Sequence, residues 1–419
     1  MRPPQRMIGT PPAVAPGLFR GWLVVAGAFA VTFIGFGSAY SFSAFLEPLQ
    51  ADFDASRGSV SLVFSLAGFL YFGFGIVSGP LADKWGSRRL AVIGMLLVGA
   101  GLGLAGLART LSEVYLAYGL GVGLGVGCAY VPVVGAVQRW FVRRRGFASG
   151  LAVSGIGVGT LIVPPLASVL IAAYGWRNAY MLMGAIAALV GAGMALLIEN
   201  DPHARGLRPD GDPVSVAAPA APGGGSSLTE AVRSRRFAGL YAVCLISSFG
   251  LFVPFVHLVP FAIDHGVVPA TAILLIGVIG VGSTAGRFIL GGLADRISRQ
   301  RALAMAFGGV AVSLLIWAAS SSFMMLAVFA FLFGVFYGGF VALLPALVMD
   351  FFGGRNIGAI IGILYSSVAF GTLIGPSAAG FAFDFNHSYM LPILASAASS
   401  VVAAIIILCL KGVPPRAPG

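Results

Sequence analysis

Arg287 is the residue whose position asks for chemistry. The chain has 25 Lys and Arg residues, and this one lies inside a long apolar run, six residues before Leu293. A guanidinium in the middle of a bilayer costs at least about 2.5–3.5 kcal/mol, so it must face a cavity or a partner. Either it grips an anion through its planar fork, or it snorkels to a boundary roughly 9 Å away by helix rise. No acidic residue in the apolar interior of any run offers it a permanent partner. One interior cation balances one carboxylate and leaves a dicarboxylate half-compensated.

Other polar side chains share the apolar runs. Tyr130 and Tyr337 follow glycine-rich stretches, and each phenol can hydrogen-bond a carboxylate, a hydroxyl group or a neighbouring helix. His257 lies mid-run, with Asp264 two turns further along the same helix face. An imidazole there either relays a proton or serves as a structural donor. Asp264, near a boundary, reads as a member of that proton path, a gate or a solvated cap. No Ser/His/Asp arrangement and no metal-ligand spacing is present, so neither an enzyme, a cofactor nor a metal is expected. The alternation from Gly119 to Gly127 has no strand before it and no acid where a dinucleotide site needs one. It supplies two small-residue faces for close helix packing.

The elements that must position these residues follow from composition. The 419 residues are 58% apolar and 9% charged, which excludes both a disordered chain and an ordinary water-facing surface. Runs of about 20 apolar residues predict twelve spanning helices. They cover 21–46, 59–81, 90–109, 113–138, 147–173, 178–198, 238–263, 269–293, 301–320, 323–348, 357–382 and 389–410. The fold class is therefore an all-α integral membrane protein with two six-helix bundles, 1–198 and 237–419. The Pro- and Gly-rich segment 199–236 is a linker, with a capping box at Ser227 and Glu230 that predicts a short surface helix near its end. Cys128, Cys244 and Cys409 read as small buried hydrophobes.

The halves match at one offset of 212 residues. Gly79-Pro-Leu-Ala-Asp83-Lys84 recurs as Gly291-Gly-Leu-Ala-Asp295-Arg296, and Gly159-Thr-Leu-Ile162 recurs as Gly371-Thr-Leu-Ile374. Such parallel repeats place a substrate site at their interface near midplane. The same offset maps Arg287 onto Gly75, so the repeated scaffold does not itself require a cation. With both termini cytoplasmic, 21 basic residues fall on the inside and only Arg57, Arg109 and Arg177 on the outside. The net charge of +11 is then topology rather than a sign of nucleic-acid binding.

Gly79, Asp83, Gly86, Arg88 and Arg89 resemble the G-x-x-x-D-x-x-G-R-R signature of the major facilitator superfamily. Within it, Gly21-Trp22, Tyr40-Ser-Phe-Ser-Ala-Phe45 and Trp140-Phe-Val-Arg143-Arg144-Arg145-Gly-Phe-Ala-Ser-Gly150 resemble the monocarboxylate transporters and their bacterial oxalate/formate-antiporter relatives. Arg287 sits where that family places its substrate-binding arginine. Animal members carry an aspartate one turn earlier, where this chain has Ser283. The span 1 lysine of animal members and the span 11 lysine of the oxalate exchanger are both missing.

The resemblance implies a secondary active transporter of small monocarboxylates such as lactate or pyruvate, coupled to a proton and acting as a monomer in a plasma membrane, the inner membrane of a bacterium. Oxalate/formate-type exchange is the alternative, and a transporter-like nutrient receptor without net flux is a third. The implied substrate contacts are Arg287, Tyr130, Tyr337 and Ser283. His257 and Asp264 would couple the proton, and Asp83, Asp295, Arg143 and Arg144 would gate.

Overall fold

A long apolar run in lipid must satisfy its own backbone N–H and C=O groups, which only helices and closed barrels achieve. The computed structural model describes residues 19–142, 144–211, 225–353 and 356–410, the side chains of Asp83, Arg145, Ala204 and Asp295 excepted. Its spanning helices begin with α1 (Gly21–Phe53), α2 (Arg57–Ala82), α3 (Ser87–Gly106) and α4 (Leu111–Trp140). A 50-residue helical stretch, Gly146–Ala195, follows. At 1.5 Å per residue it would be about 75 Å long, more than twice a bilayer core. Gly175 breaks it, with φ 78° and ψ 159° that a residue bearing a Cβ rarely adopts. The two pieces are α5 (146–174) and α6 (176–195). The remaining helices are α7 (Arg235–Asp264), α8 (Pro269–Ala294), α9 (Arg299–Ala318), α10 (Phe323–Phe352), α11 (Ile357–Asn386) and α12 (Met390–Cys409).

Shifting α2, α3 and α4 by 212 residues reproduces the bounds of α8, α9 and α10 residue for residue. The repeat seen in short motifs therefore governs helix length as well. The end of α1 differs from expectation. Glu47, Gln50 and Asp52 suggest a stop after Leu46, but the helix runs on to Phe53 and ends where Asp54 turns left-handed at φ 48°. Polar side chains do not by themselves end a helix, whose backbone bonds are made within the segment.

Between the halves, Ser227 accepts from Glu230 N–H at 3.3 Å while its own N–H donates to the Glu230 carboxylate at 2.8 Å. This capping box opens a five-residue helix, Leu228–Val232, just before α7. The end of the bundle that bears the connection is called the linker face below, and the opposite end the distal face. Cys128 and Cys244 are buried, whereas Cys409 is exposed on the last turn of α12. The expectation of three buried thiols fails there because α12 is peripheral and presents Leu391, Val402, Ile405 and Leu408 outward to lipid.

Helix contacts at the centre depend on missing side chains. A methyl group at Gly282 or Gly286 of α8 would collide with the Phe331 or Val335 carbonyl of α10. One at Gly334 or Gly338 of α10 would collide with the Ile279 or Ser283 carbonyl of α8. The two helices thus mesh backbone to backbone, as small-residue interfaces in lipid do. Across the halves, Gly157 of α5 meets Gly280 of α8 in the same way, a Cβ at Gly280 falling 2.6 Å from the Gly157 carbonyl oxygen.

Candidate functional site

Arg287 leaves α8 with 8% of its surface exposed. Its Nη1 donates to the Val153 carbonyl of α5 at 2.9 Å. Val153 and Arg287 each lie seven residues from the linker-face end of their helix, so the guanidinium reaches sideways into the bundle, not outward. Its Nε and Nη2 are buried and have no hydrogen-bond partner. Those two N–H groups point in parallel along one edge of the fork, the edge that matches the two oxygens of a carboxylate. One carbonyl fixes the plane, and the matching edge has no partner among the described residues.

Phenols surround this edge. Tyr337 of α10, Tyr130 of α4 and Tyr40 of α1 are the electrostatic neighbours of Arg287. Tyr130 and Tyr365 of α11 are electrostatic neighbours of each other. The Tyr40 and Tyr337 hydroxyls meet across the halves at 3.0 Å. Tyr40 also stacks on Phe255 of α7 with ring centroids 4.4 Å apart, and Phe255 meets Tyr337 edge-on at 5.2 Å. This aromatic layer lies nearer the distal face than Arg287 and covers it from that side. Ser283, one helical turn before Arg287, is buried with an unpartnered hydroxyl.

At the distal face a second polar cluster joins the halves. Arg57, the first residue of α2, grips Asp264 of α7 with both terminal nitrogens, at 2.5 and 2.8 Å. It donates to the Tyr389 hydroxyl at 3.0 Å and lies 4.1 Å above the Phe383 ring. Asp384 of α11 accepts from the Arg57 and Gly58 backbone N–H groups at 2.9 and 2.8 Å, capping α2 from the other half. Only glycine fits at position 58, since a side chain there would strike the Phe381 ring.

His257 is fully buried beside this cluster. Its Nε2 faces the Pro376 carbonyl at 2.8 Å and the Ser61 hydroxyl at 3.4 Å, and its Nδ1 faces the Tyr389 hydroxyl at 3.1 Å. A carbonyl only accepts, which assigns the proton to Nε2 and makes Nδ1 the acceptor. One directed chain results: Arg57 donates to Tyr389, Tyr389 to His257, and His257 to Pro376.

Arg287, Tyr130 and Tyr337, each singled out in the sequence, come together, with Ser283 on the adjoining turn. His257 and Asp264 lie apart from them in the distal cluster, linked to each other through Tyr389 and Arg57 rather than directly. Arg144 is exposed at the start of α5. Arg143 and the side chains of Asp83 and Asp295 lie outside the described residues. Sequence reasoning passed over Tyr40, Tyr365, Arg57, Asp384 and Tyr389. A signal was available for the last: the 212-residue offset sets Asp264 against Asp52 and Tyr389 against Arg177, so the second half lacks the cation that the first possesses.

A family model described as Major Facilitator Superfamily matches residues 28–318 and 262–419. The chain is 30% identical over 400 residues to mouse monocarboxylate transporter 11, covering 91% of this chain and 86% of that one. It is 30% identical over 415 residues to rat monocarboxylate transporter 3, covering 94% and 82%. An MFS-type transporter of the fungus Ophiocordyceps is 28% identical over 377 residues, covering 89% and 81%. With twelve helices in two matching sets of six, this multi-pass membrane chain belongs to the major facilitator superfamily and, within it, to the monocarboxylate transporter family, and is a transporter rather than an enzyme.

Proposed function

We propose that the chain carries one small monocarboxylate at a time, of the lactate or pyruvate kind, by alternating access and together with a proton. The observation that carries this reading is the Nε/Nη2 edge of Arg287, buried between the halves and without a hydrogen-bond partner among the described residues. A bound carboxylate and the guanidinium cancel, so the loaded site moves no net charge through the low-dielectric interior, whereas an empty site strands a cation there. A dicarboxylate would keep one charge uncompensated, which argues against oxalate exchange. The linker face, which holds most of the basic residues, is taken as cytoplasmic, in a plasma membrane. The Arg57–Asp264 and Asp384 contacts then close the outside, and their rupture opens it.

The proton reading rests on the directed chain through Tyr389. Protonating His257 at Nδ1 removes the acceptor that Tyr389 uses and forces its O–H towards another group. Asp264 and Asp384 are the carboxylates at hand, with the Arg57 guanidinium and the Ser61 hydroxyl facing the same space. Proton uptake and release of the outer contacts are thereby linked. Proteoliposomes tested with labelled lactate, pyruvate, formate and oxalate, with and without an inward proton gradient, decide the matter. Gradient-stimulated uptake of the monocarboxylates alone is expected, and His257→Gln should weaken the stimulation more than it weakens counterflow exchange. Equal uptake of oxalate defeats the charge argument; a full gradient effect in the variant makes His257 structural.

A further inference from the structure

A groove of about 240 Å³ opens on the second half, floored by α7 and walled by α11 and α12. It forms because α12 packs mainly on α9 and α7, and α11 mainly on α2 and α7, so the two walls splay apart. Gly375, Ala378, Ala379 and Ala382 make the α11 wall, spaced i, i+3, i+4 and i+7 along one helix face. Phe249 and Val253 of α7 lie beneath. On α12, Leu391 and Ala395 are exposed at the rim, and the Ser396 hydroxyl already donates to the Pro392 carbonyl at 2.7 Å. The lining offers a ligand no charge and no free donor.

The 212-residue repeat shows which side chains are small here. Positions equivalent to Gly375, Ala378, Ala382 and Ala395 carry Val163, Leu166, Leu170 and Met183 in the first half. Depth identifies what can fill the space. Leu391 is one residue inside the distal end of α12, and Gly375 lies eleven residues from the distal end of α11, about 16 Å by helix rise. The groove thus follows the helices from near the distal face to about the bilayer midplane. The surface beside it, with Phe381, Phe385 and Leu394, faces lipid. A spanning helix of a partner would need a seat running the full height of the core. A groove confined to one leaflet matches a single lipid tail.

The same turns of α11 have an opposite face, and it carries the contacts of the distal closure. The Pro376 carbonyl accepts from His257, and the Ser377 hydroxyl donates to Ser65 across the halves at 2.8 Å. A Cβ at Gly380 would fall 2.8 Å from the Gly58 Cα, and Asp384 caps α2. We infer that the groove binds one acyl chain of a phospholipid in the distal leaflet, and that this acyl chain braces α11 against the first half. Lipid tails gain nothing hydrophobic by entering, so shape decides occupancy, and an unfilled groove forfeits packing on every wall. The site itself is independent of the substrate; the brace rests on reading the distal contacts as a closure that opens during transport.

The test places the whole protein in phosphatidylethanolamine–phosphatidylglycerol vesicles doped with a phosphatidylethanolamine bearing a diazirine midway along one acyl chain. Irradiation should attach lipid to Val253 and Ala379, which are buried in the groove, and to Leu394 and Val401 on the exposed face of α12. Ala378→Leu, Ala382→Leu and Ala395→Met together rebuild the first half's side chains. They should abolish the first two cross-links while the last two persist, which also shows that the variant inserts and folds. A parent groove without lipid overturns the site, whether it stays empty or a second copy covers it; so does a filled variant still cross-linked at Val253 and Ala379. For the brace, a Ser65→Cys reporter is labelled with a membrane-impermeant thiol reagent. Methyl-branched diphytanoyl lipid, which fits a narrow groove poorly, should raise labelling about threefold, the scale of one misfitted methyl group, and should leave the filled variant unmoved. An equal rise in both, or none in either, removes the brace. If Asp264→Asn also fails to raise labelling, the closure reading falls in its own right, and the cross-links alone decide the acyl-chain site.

Discussion

On the linker face Arg88 Nε donates to the Ile198 carbonyl at 2.7 Å, and 212 residues later Gln300 Nε2 donates to the Leu410 carbonyl at the same distance. On the distal face the corresponding comparison fails. Asp52 takes Arg177 of its own half at 2.6 Å, but the equivalent positions in the second half are Asp264 and Tyr389, with a phenol in place of the guanidinium. Asp264 takes Arg57 from the first half instead. The ion pairs described on the linker face stay within one half and its adjoining linker: Glu199 with Arg20, Arg88 and Arg205, and Arg299 with Asp350. A bond kept by the repeat holds one bundle together, while a bond created where the repeat is broken joins two bundles, and on the proposed alternating-access cycle it is the one that comes apart. Among the described ion pairs, Arg57–Asp264 on the distal face is the one that joins the two halves.

Magnitudes limit what that contact does. Hydrogen bonds to charged groups contribute about 1.5–3 kcal/mol, whereas carrying a two-state equilibrium from 1:99 to 99:1 takes about 5.5 kcal/mol. On the proposed cycle, a pair of this strength would bias the closed state without locking it.

The largest effect should come from the cross-half bond that lies at neither face. Arg287→Lys keeps the charge but loses both the Val153 bond and the parallel edge. Transport should fall about a hundredfold or more while the protein still inserts; near-normal affinity in the lysine variant removes the binding role. Next comes Asp264→Asn, which should raise labelling of a reporter cysteine just inside the distal contacts by about tenfold, equivalent to about 1.4 kcal/mol. Ser65→Cys is a suitable reporter, because Ser65 meets Ser377 across the halves at 2.8 Å. Unchanged labelling by a membrane-impermeant thiol reagent shows that the ion pair does not hold the face closed.

A smaller shift, about threefold, is expected for Tyr389→Arg. This change rebuilds in the second half the pair that the first already has, giving Asp264 a cation from its own bundle. Arg57 keeps the Phe383 ring, and its backbone keeps the Asp384 cap, so part of the closure survives. Adding Asp264→Asn to this variant should change labelling less than Asp264→Asn does alone, because the two act on one contact. Full additivity dissociates the missing cation from the distal closure.

Apolar run length and the 212-residue repeat made the twelve helices legible, and both are local or periodic properties of the chain. Arg287 was legible because a cation inside an apolar run is costly wherever it occurs. Arg57 was not, since a charge at a helix end is ordinary, and its partners Asp264 and Asp384 lie 207 and 327 residues away. Tyr40 and Tyr365 were hidden for a related reason: a tyrosine in an apolar run carries no cost that demands an explanation, and its worth depends on which ring or phenol stands opposite. His257 and Asp264 do share a helix, as their spacing implies, but the groups that complete them, Tyr389 and Arg57, come from elsewhere in the chain.

The smallest effect belongs to the linker face, and it is the most direct challenge to the contrast. Glu199 is the hub of this cluster: its side chain is 14% exposed, yet Arg20, Arg88 and Arg205 around it are 42–50% exposed and can turn to water. Ion pairs with exposed partners contribute about 0–1 kcal/mol each and are screened by salt. Glu199→Gln keeps the shape and one acceptor oxygen while removing the charge. It should lower the Tm of the purified protein by no more than about 2–4 °C, less so at high salt. Because its described partners all belong to the first half or its adjoining linker, the change should make no differential contact with the open and closed states and should leave their populations unmoved. Labelling of the Ser65→Cys reporter should therefore match that of the parent. If Glu199→Gln raises that labelling as Asp264→Asn does, the charges of the linker face also take part in the movement, and keeping or breaking the repeat no longer separates fixed bonds from movable ones.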